Sequence, residues 1–156
     1  MSITAEEIKR EKKRLPRGWG RFGKTLDRLA AISEPDESLL SSCVGLNPSF
    51  KHKTRTLPGG LYEMTKTTNI VLASTSARLI LIGTGFGGAP RDDYSIAYDG
   101  LEVVSHAEKE FVLRWPEGEM RIRGAAKQQL PGFLDAVSAN ARPRSPEGER
   151  PVPFDT

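Results

Sequence analysis

Cysteine is nearly absent from this chain: Cys43 is the only one in 156 residues. A single thiol excludes an internal disulfide, and its neighbours Leu39, Leu40, Val44 and Leu46 predict a buried thiol in a reducing, cytoplasmic setting. Histidine is almost as scarce, with His52 and His106 alone. A zinc site takes three or four Cys, His or carboxylate ligands, so no metal centre is predicted. No apolar run approaches the ~20 residues of a membrane span, and the charged N-terminus does not read as a secretory signal. Long crossovers between strands are missing, so parallel βαβ units are not expected. No internal repeat is present. No Ser/His/Asp set stands out, and Asp92, Asp93, Glu108 and Glu110 fall at loop edges as solvated groups. These absences predict a protein without enzymatic activity and without a cofactor.

What is present is one domain's worth of chain with tails. The composition is 37% hydrophobic and 28% charged, enough apolar content for an ordinary core. The net charge of +3 is unevenly spread. Residues 1–28 hold nine Lys/Arg against four acids, an excess of five, so the rest of the chain carries a net −2. The chain reads as a near-neutral body behind a basic head.

That head opens on a helix start. Thr4 and Glu7 have capping-box spacing, and Ile3 and Ile8 occupy the positions of a hydrophobic staple. The helix should stop before Pro16. It has almost no apolar stripe, so it is not expected to be buried along its length. A glycine-spaced aromatic loop follows, in which Trp19 and Phe22 should pin the segment to the body. Leu26, Leu29 and Ala30 predict a short amphipathic helix over residues 24–32. Glu34-Pro35-Asp36-Glu37 then breaks the chain.

The remainder alternates short apolar runs with turn signals. Strands are expected over residues 38–46, 69–73, 79–82, 94–98, 101–103, 111–115 and 120–123, with 61–65 as a further candidate. Pro58-Gly59-Gly60 and Asp99-Gly100 are turn signals, the second that of a tight hairpin. The run from Gly83 to Gly88 satisfies G-x-G-x-x-G, the spacing of a dinucleotide site, but a strand follows it where that site needs a helix N-terminus. It reads as a hairpin loop with Phe86 as its one candidate contact. Leu130, Phe133, Leu134 and Val137 share one helical face within residues 125–139, with Pro131 in the first turn or at a kink. Residues 142–156 hold four prolines without periodicity and read as a disordered tail. The fold class is therefore mainly β (α+β): a seven-stranded antiparallel barrel capped by a C-terminal helix, behind an N-terminal helical arm. The expected division is an arm over residues 1–33, a body over 34–141 and a tail.

Two motifs carry a resemblance. Thr75-Ser76-Ala77-Arg78-Leu79-Ile80 resembles the T-x-x-R-L strand opening of bacterial pleckstrin-homology-like (PH-like) domains of the YokE type. Tyr94-Ser95-Ile96-Ala97-Tyr98-Asp99 resembles their S-I-P-Y-x-x-I strand, with Ala97 in place of the usual proline. The resemblance covers residues 37–140. It implies two nearly orthogonal antiparallel sheets with a capping C-terminal helix, and a binding or oligomerisation module without catalysis.

Two basic clusters are the candidate sites. Lys51, Lys53 and Arg55 alternate in an expected loop between the first two strands. In phosphoinositide-binding PH domains that loop carries a similar cluster, which implies an anionic headgroup as ligand. The basic arm supplies Lys9, Arg10, Lys12, Lys13, Arg14, Arg17, Arg21 and Lys24. Such a segment gains affinity for an anionic leaflet or for nucleic acid phosphates, and Trp19, Arg21 and Phe22 could stack single-stranded bases. The expectation is a cytoplasmic binding module that engages a protein partner or an acidic membrane surface, with a nucleic-acid-associated protein as the alternative. Sheet edges of such a barrel can also pair between copies, which allows a homo-oligomer.

Overall fold

The computed structural model describes residues 2–46, 48–52, 69–84, 90–107, 109–116 and 118–142. The expected strand over residues 61–65, the Pro58-Gly59-Gly60 turn, Phe86, Lys53, Arg55 and the tail beyond residue 142 lie outside them. Two helices open the chain, α1 (Ala5–Lys13) and α2 (Gly23–Ile32). The strands follow: β1 (Leu39–Leu46), β2 (Ser49–His52), β3 (Asn69–Thr75), β4 (Leu79–Thr84), β5 (Pro90–Ile96), β6 (Glu102–Ala107), β7 (Glu110–Trp115), β8 (Gly118–Ile122) and β9 (Gly124–Ala125). Helix α3 (Leu130–Asn140) closes the described chain.

Among the described residues the strands form two antiparallel sheets, ordered β5-β4-β3-β1-β9 and β2-β8-β7-β6. The expected closed barrel is not formed. Instead the sheets join at one corner, where two strands bend together. Gly45 faces Ala125 and Leu46 faces Gly124 in the first sheet, and Ser49 faces Arg121 in the second. The register is thus kept across the bend. Glycine is required there: a Cβ at Gly45 would lie 2.9 Å from two side-chain carbons of Ile122. At the far side, β5 and β6 lie in different sheets, so Asp99-Gly100 is not a hairpin. Leu101 N donates to Tyr98 O at 3.1 Å and Gly100 has φ +86°, a type II turn that carries the chain from one sheet to the other. The basic stretch at Lys51, expected in a loop, lies in β2, opposite Glu119 of β8. The strands that flank the glycine run, β4 and β5, pair antiparallel, while residues 85–89 of the expected hairpin loop lie outside the described residues.

The faces of the first sheet follow from its register. Gly45 approaches Ile122, and Tyr94 meets the Trp115 ring at 6.3 Å, so the face with Cys43, Leu72 and Leu81 packs on the second sheet. The opposite face carries Ser42, Val44, Val71, Ala73, Ile80 and Ile82, all buried. It is covered by the N-terminal helices: Glu11 of α1 bonds Ser42, and Arg28 of α2 pairs with Asp93 of β5 at 3.1 Å. A sheet apolar on both faces must be covered on both, and Phe22, Leu26 and Leu29 are fully buried in the same core cluster as the strands. Ala30, expected on that stripe, is exposed. Helix α3 packs against β1, β3 and β6, with Phe133 against Phe111 at 6.1 Å. It begins at Leu130, not at residue 125, because Pro131 occupies its first turn.

The capping box of α1 is formed. Glu7 N donates to Thr4 Oγ1 at 3.1 Å and Thr4 N to Glu7 Oε1 at 2.8 Å. Ile3 and Ile8 are both buried, as the staple requires. The helix docks differently from expectation, through polar groups. Leu39 N donates to Glu7 Oε2 at 3.2 Å, Arg10 Nη2 to Leu39 O at 2.7 Å, and Ser42 N to Glu11 Oε1 at 3.1 Å. Further along β1, Val44 N donates to Gln129 Oε1 at 2.9 Å, and Val44 O accepts from Ala126 N at 2.9 Å. β1 pairs with β9 only at Gly45 and Leu46, so these contacts satisfy the edge that pairing leaves open.

Candidate anion-binding groove

The segment linking α1 to α2 is shaped by its proline and glycine. Trp19 N donates to Pro16 O at 2.9 Å, and Gly18 has φ +88°, so residues 16–19 form a type II turn. A Cβ at Gly18 would meet nothing within 4 Å, so backbone conformation alone demands glycine there. The turn sets Arg17 at its exposed corner and leaves Trp19 half-buried, its ring 6.0 Å from that of Phe22.

Facing this turn is the passage from β9 into α3. Ala125 N donates to Lys109 O at 2.9 Å, and Gln129 N and Leu130 N both donate to Ala126 O at 3.0 Å. These bonds fix the backbone on which Lys109, Lys127 and Gln128 stand exposed. Between the two segments lies an open cavity of about 380 Å³ with Trp19, Leu46, Ala125 and Ala126 as its apolar lining and Arg17, Lys109 and Lys127 as its cations. A second hollow of about 330 Å³ adjoins it, sharing Arg17 and Gln128 and adding Lys13, Arg14 and Leu15. The two together form a groove in which five cations, and no carboxylate, imidazole or thiol, stand among the described lining residues.

The sequence-predicted residues are dispersed by this geometry. Lys13, Arg14 and Arg17 of the basic arm line the groove. Arg10 is turned to Glu11 and Leu39, and Lys12 pairs with Asp27 at 2.8 Å. Arg21 lies over the Phe22 ring at 4.5 Å. Phe22 itself is fully buried and takes no part in a surface site. Lys9 and Lys24 are exposed away from the groove. The backbone of Lys51 lies in β2 of the second sheet.

Arg14 is partly neutralised, since its Nη1 lies 3.8 Å from the buried Glu11 carboxylate. That carboxylate is held by Ser42 Oγ at 2.7 Å and Arg10 Nε at 2.9 Å. Lys109, Lys127 and Leu46 are not marked as site residues by the sequence, because they stand far from the basic arm in the chain and no local pattern joins them. The periodicity also puts Lys127 inside a helix, where its backbone would not form the groove wall.

Two of the carboxylates noted in the sequence are ion-paired. Asp93 pairs with Arg28, and Glu110 lies 3.6 Å from Arg121. Burial pushes the Cys43 thiol up to about 12, so it is protonated and unreactive at neutral pH. Among the described residues no group of His, Cys, Asp and Glu could hold a metal ion, and no helix is long and apolar enough to cross a membrane. Comparison with protein-family models, curated proteins and solved structures returns no match. The functional reading rests on the groove itself.

Proposed function

We propose that the chain is a cytoplasmic, non-enzymatic binding module of the PH-like kind that recognises an anionic partner at this groove. The observation that carries the reading is the clustering of five cations, drawn from three separate parts of the chain, around an apolar hollow with no acidic residue among its described lining residues. Cations gathered in a concave surface focus their field and raise the local concentration of an anion. The hollow falls within the range of ligand sites, about 300–1,000 Å³.

Retention on immobilised heparin tests the proposal. The variant Arg17→Ala/Lys109→Ala/Lys127→Ala should elute at clearly lower salt than the parent protein. Lys9→Ala/Lys24→Ala, which removes nearly the same charge from outside the groove, should elute close to the parent. Equal losses in both variants would reduce the groove to diffuse surface charge.

A further inference from the structure

The groove has two chemically distinct parts. In the larger, half-buried Trp19 with Leu46, Ala125 and Ala126 supplies the apolar lining, and exposed Arg17, Lys109 and Lys127 supply the cations. In the smaller, Lys13 and Arg14 dominate, and Arg17 belongs to both. A simple inorganic anion would use the cations and leave Trp19 idle. A membrane surface would meet the exposed cations, whereas a half-buried ring in a concave lining offers it little to insert. It also favours protruding apolar side chains, and among the described residues Leu40 is the one exposed large hydrophobic, away from the groove lining. A ligand with a flat apolar face and phosphates on either side uses every part. Base–aromatic stacking is tolerant of sequence and combines with a cationic track along the backbone in proteins that hold single strands.

Resting on the reading of the groove as an anion site, we infer that it holds a short stretch of single-stranded nucleic acid. One base lies against the Trp19 indole. Its adjoining phosphates sit on Arg17, Lys109 and Lys127, and the strand continues past Lys13 and Arg14. Duplex is excluded from this mode, because a paired base cannot lie flat on the half-buried Trp19 ring without leaving its own stack.

The chain contains its own reporter. Trp19 and Trp115 are its only tryptophans, and Trp115 is 2% exposed with its indole N–H unpartnered. In a Trp115→Phe background, all tryptophan emission comes from Trp19. Titration with an unlabelled oligothymidylate should quench that emission, and a fluorescein-labelled oligothymidylate should bind by anisotropy. Trp19→Ala should weaken binding by about tenfold or more without changing its salt dependence, and Trp19→Tyr should restore most of the affinity. Arg17→Ala/Lys109→Ala/Lys127→Ala should flatten the log–log salt slope by about two, at ~0.7 for each phosphate no longer neutralised. Circular dichroism of each variant checks folding, and the tyrosine variant keeps the test decisive if the alanine variant unfolds. Unquenched Trp19 emission, or duplex bound as tightly as the single strand, overturns the inference. In that event, heparin or phosphatidylserine vesicles bound by the parent and released by the triple variant would still uphold the anion-site reading. Loss of every polyanion interaction would remove both.

Discussion

Arg78 gathers more of the fold than its place at a turn suggests. Its Nε donates to Glu37 Oε2 at 3.0 Å and its Nη2 to Glu37 Oε1 at 3.1 Å. The same guanidinium reaches Ile32 O at 2.9 Å and Ser95 Oγ at 2.7 Å. It thereby ties the end of α2, the start of β1 and β5 to the β3–β4 turn. Thr75 Oγ1 completes the knot, donating to Glu37 Oε2 at 2.6 Å while Arg78 N and Ala77 N donate to it. Burial raises the Glu37 pKa, but hydrogen bonds from Arg78, Thr75 and the Glu34 amide outweigh it, and the carboxyl ends below its ordinary 4.5. A carboxyl depressed in the folded state stabilises at pH above its unfolded value and loses that contribution as pH falls through the folded one. Urea midpoints should therefore decline below about pH 4.5, and Glu37→Gln should flatten that limb of the profile. Arg78→Met at neutral pH leaves a buried carboxylate uncompensated and should cost about 3–5 kcal/mol in urea unfolding. Sequence alone reveals one side of this knot. The Thr75–Arg78 spacing is local and legible, whereas Glu37 looks like part of a helix breaker because its partner lies far along the chain.

At the scale of elements, α1 is docked by side chains on β1 more than by an apolar stripe. Its capping box and staple are legible because they depend on spacings of three to five residues. Its burial is not, because Glu11 is a charged residue with 0% exposure, a placement that polarity patterns argue against. What makes that placement tolerable is the Ser42 amide and hydroxyl on one oxygen and Arg10 on the other. Glu11→Ala should leave both Ser42 donors unpaired and destabilise by about 1–3 kcal/mol. The loss should be local first. Amide exchange of residues 8–13 should accelerate at denaturant concentrations that leave β3 and β4 protected. Lys9→Ala, on the exposed side of the same helix, should leave that exchange unchanged. The strands are more legible: their alternation locates most of β1, β3, β4, β7 and β8. Their assignment to two sheets is beyond it, since the corner depends on Gly45 meeting Ile122 across the sandwich.

For the whole molecule, the decisive question is whether residues 1–33 are an appendage or part of the core. Their charge and the first helix's lack of an apolar stripe suggest an arm. Yet Ile3, Ile8, Phe22, Leu26 and Leu29 belong to one buried cluster with Val71, Ile80 and Ile82. The outward face of the first sheet is aliphatic where an independent body would need polar side chains, and burying each such side chain is worth ~1.5–3 kcal/mol. Deleting residues 1–33 would expose that face and the polar edge of β1 together. The truncated chain should bind a hydrophobic dye strongly and aggregate or lose its cooperative transition, whereas the intact chain should unfold in one step with coincident near- and far-ultraviolet dichroism. A soluble, cooperatively folded product from residues 34–156 would show the arm to be separable. The groove sharpens the stake, because Arg17 and Trp19 come from one side of that boundary and Leu46, Lys109 and Lys127 from the other. A ligand held there binds only the folded whole, so a saturating oligothymidylate or heparin should raise the unfolding midpoint of the intact protein. It should raise the midpoint of the Arg17→Ala/Lys109→Ala/Lys127→Ala variant by much less.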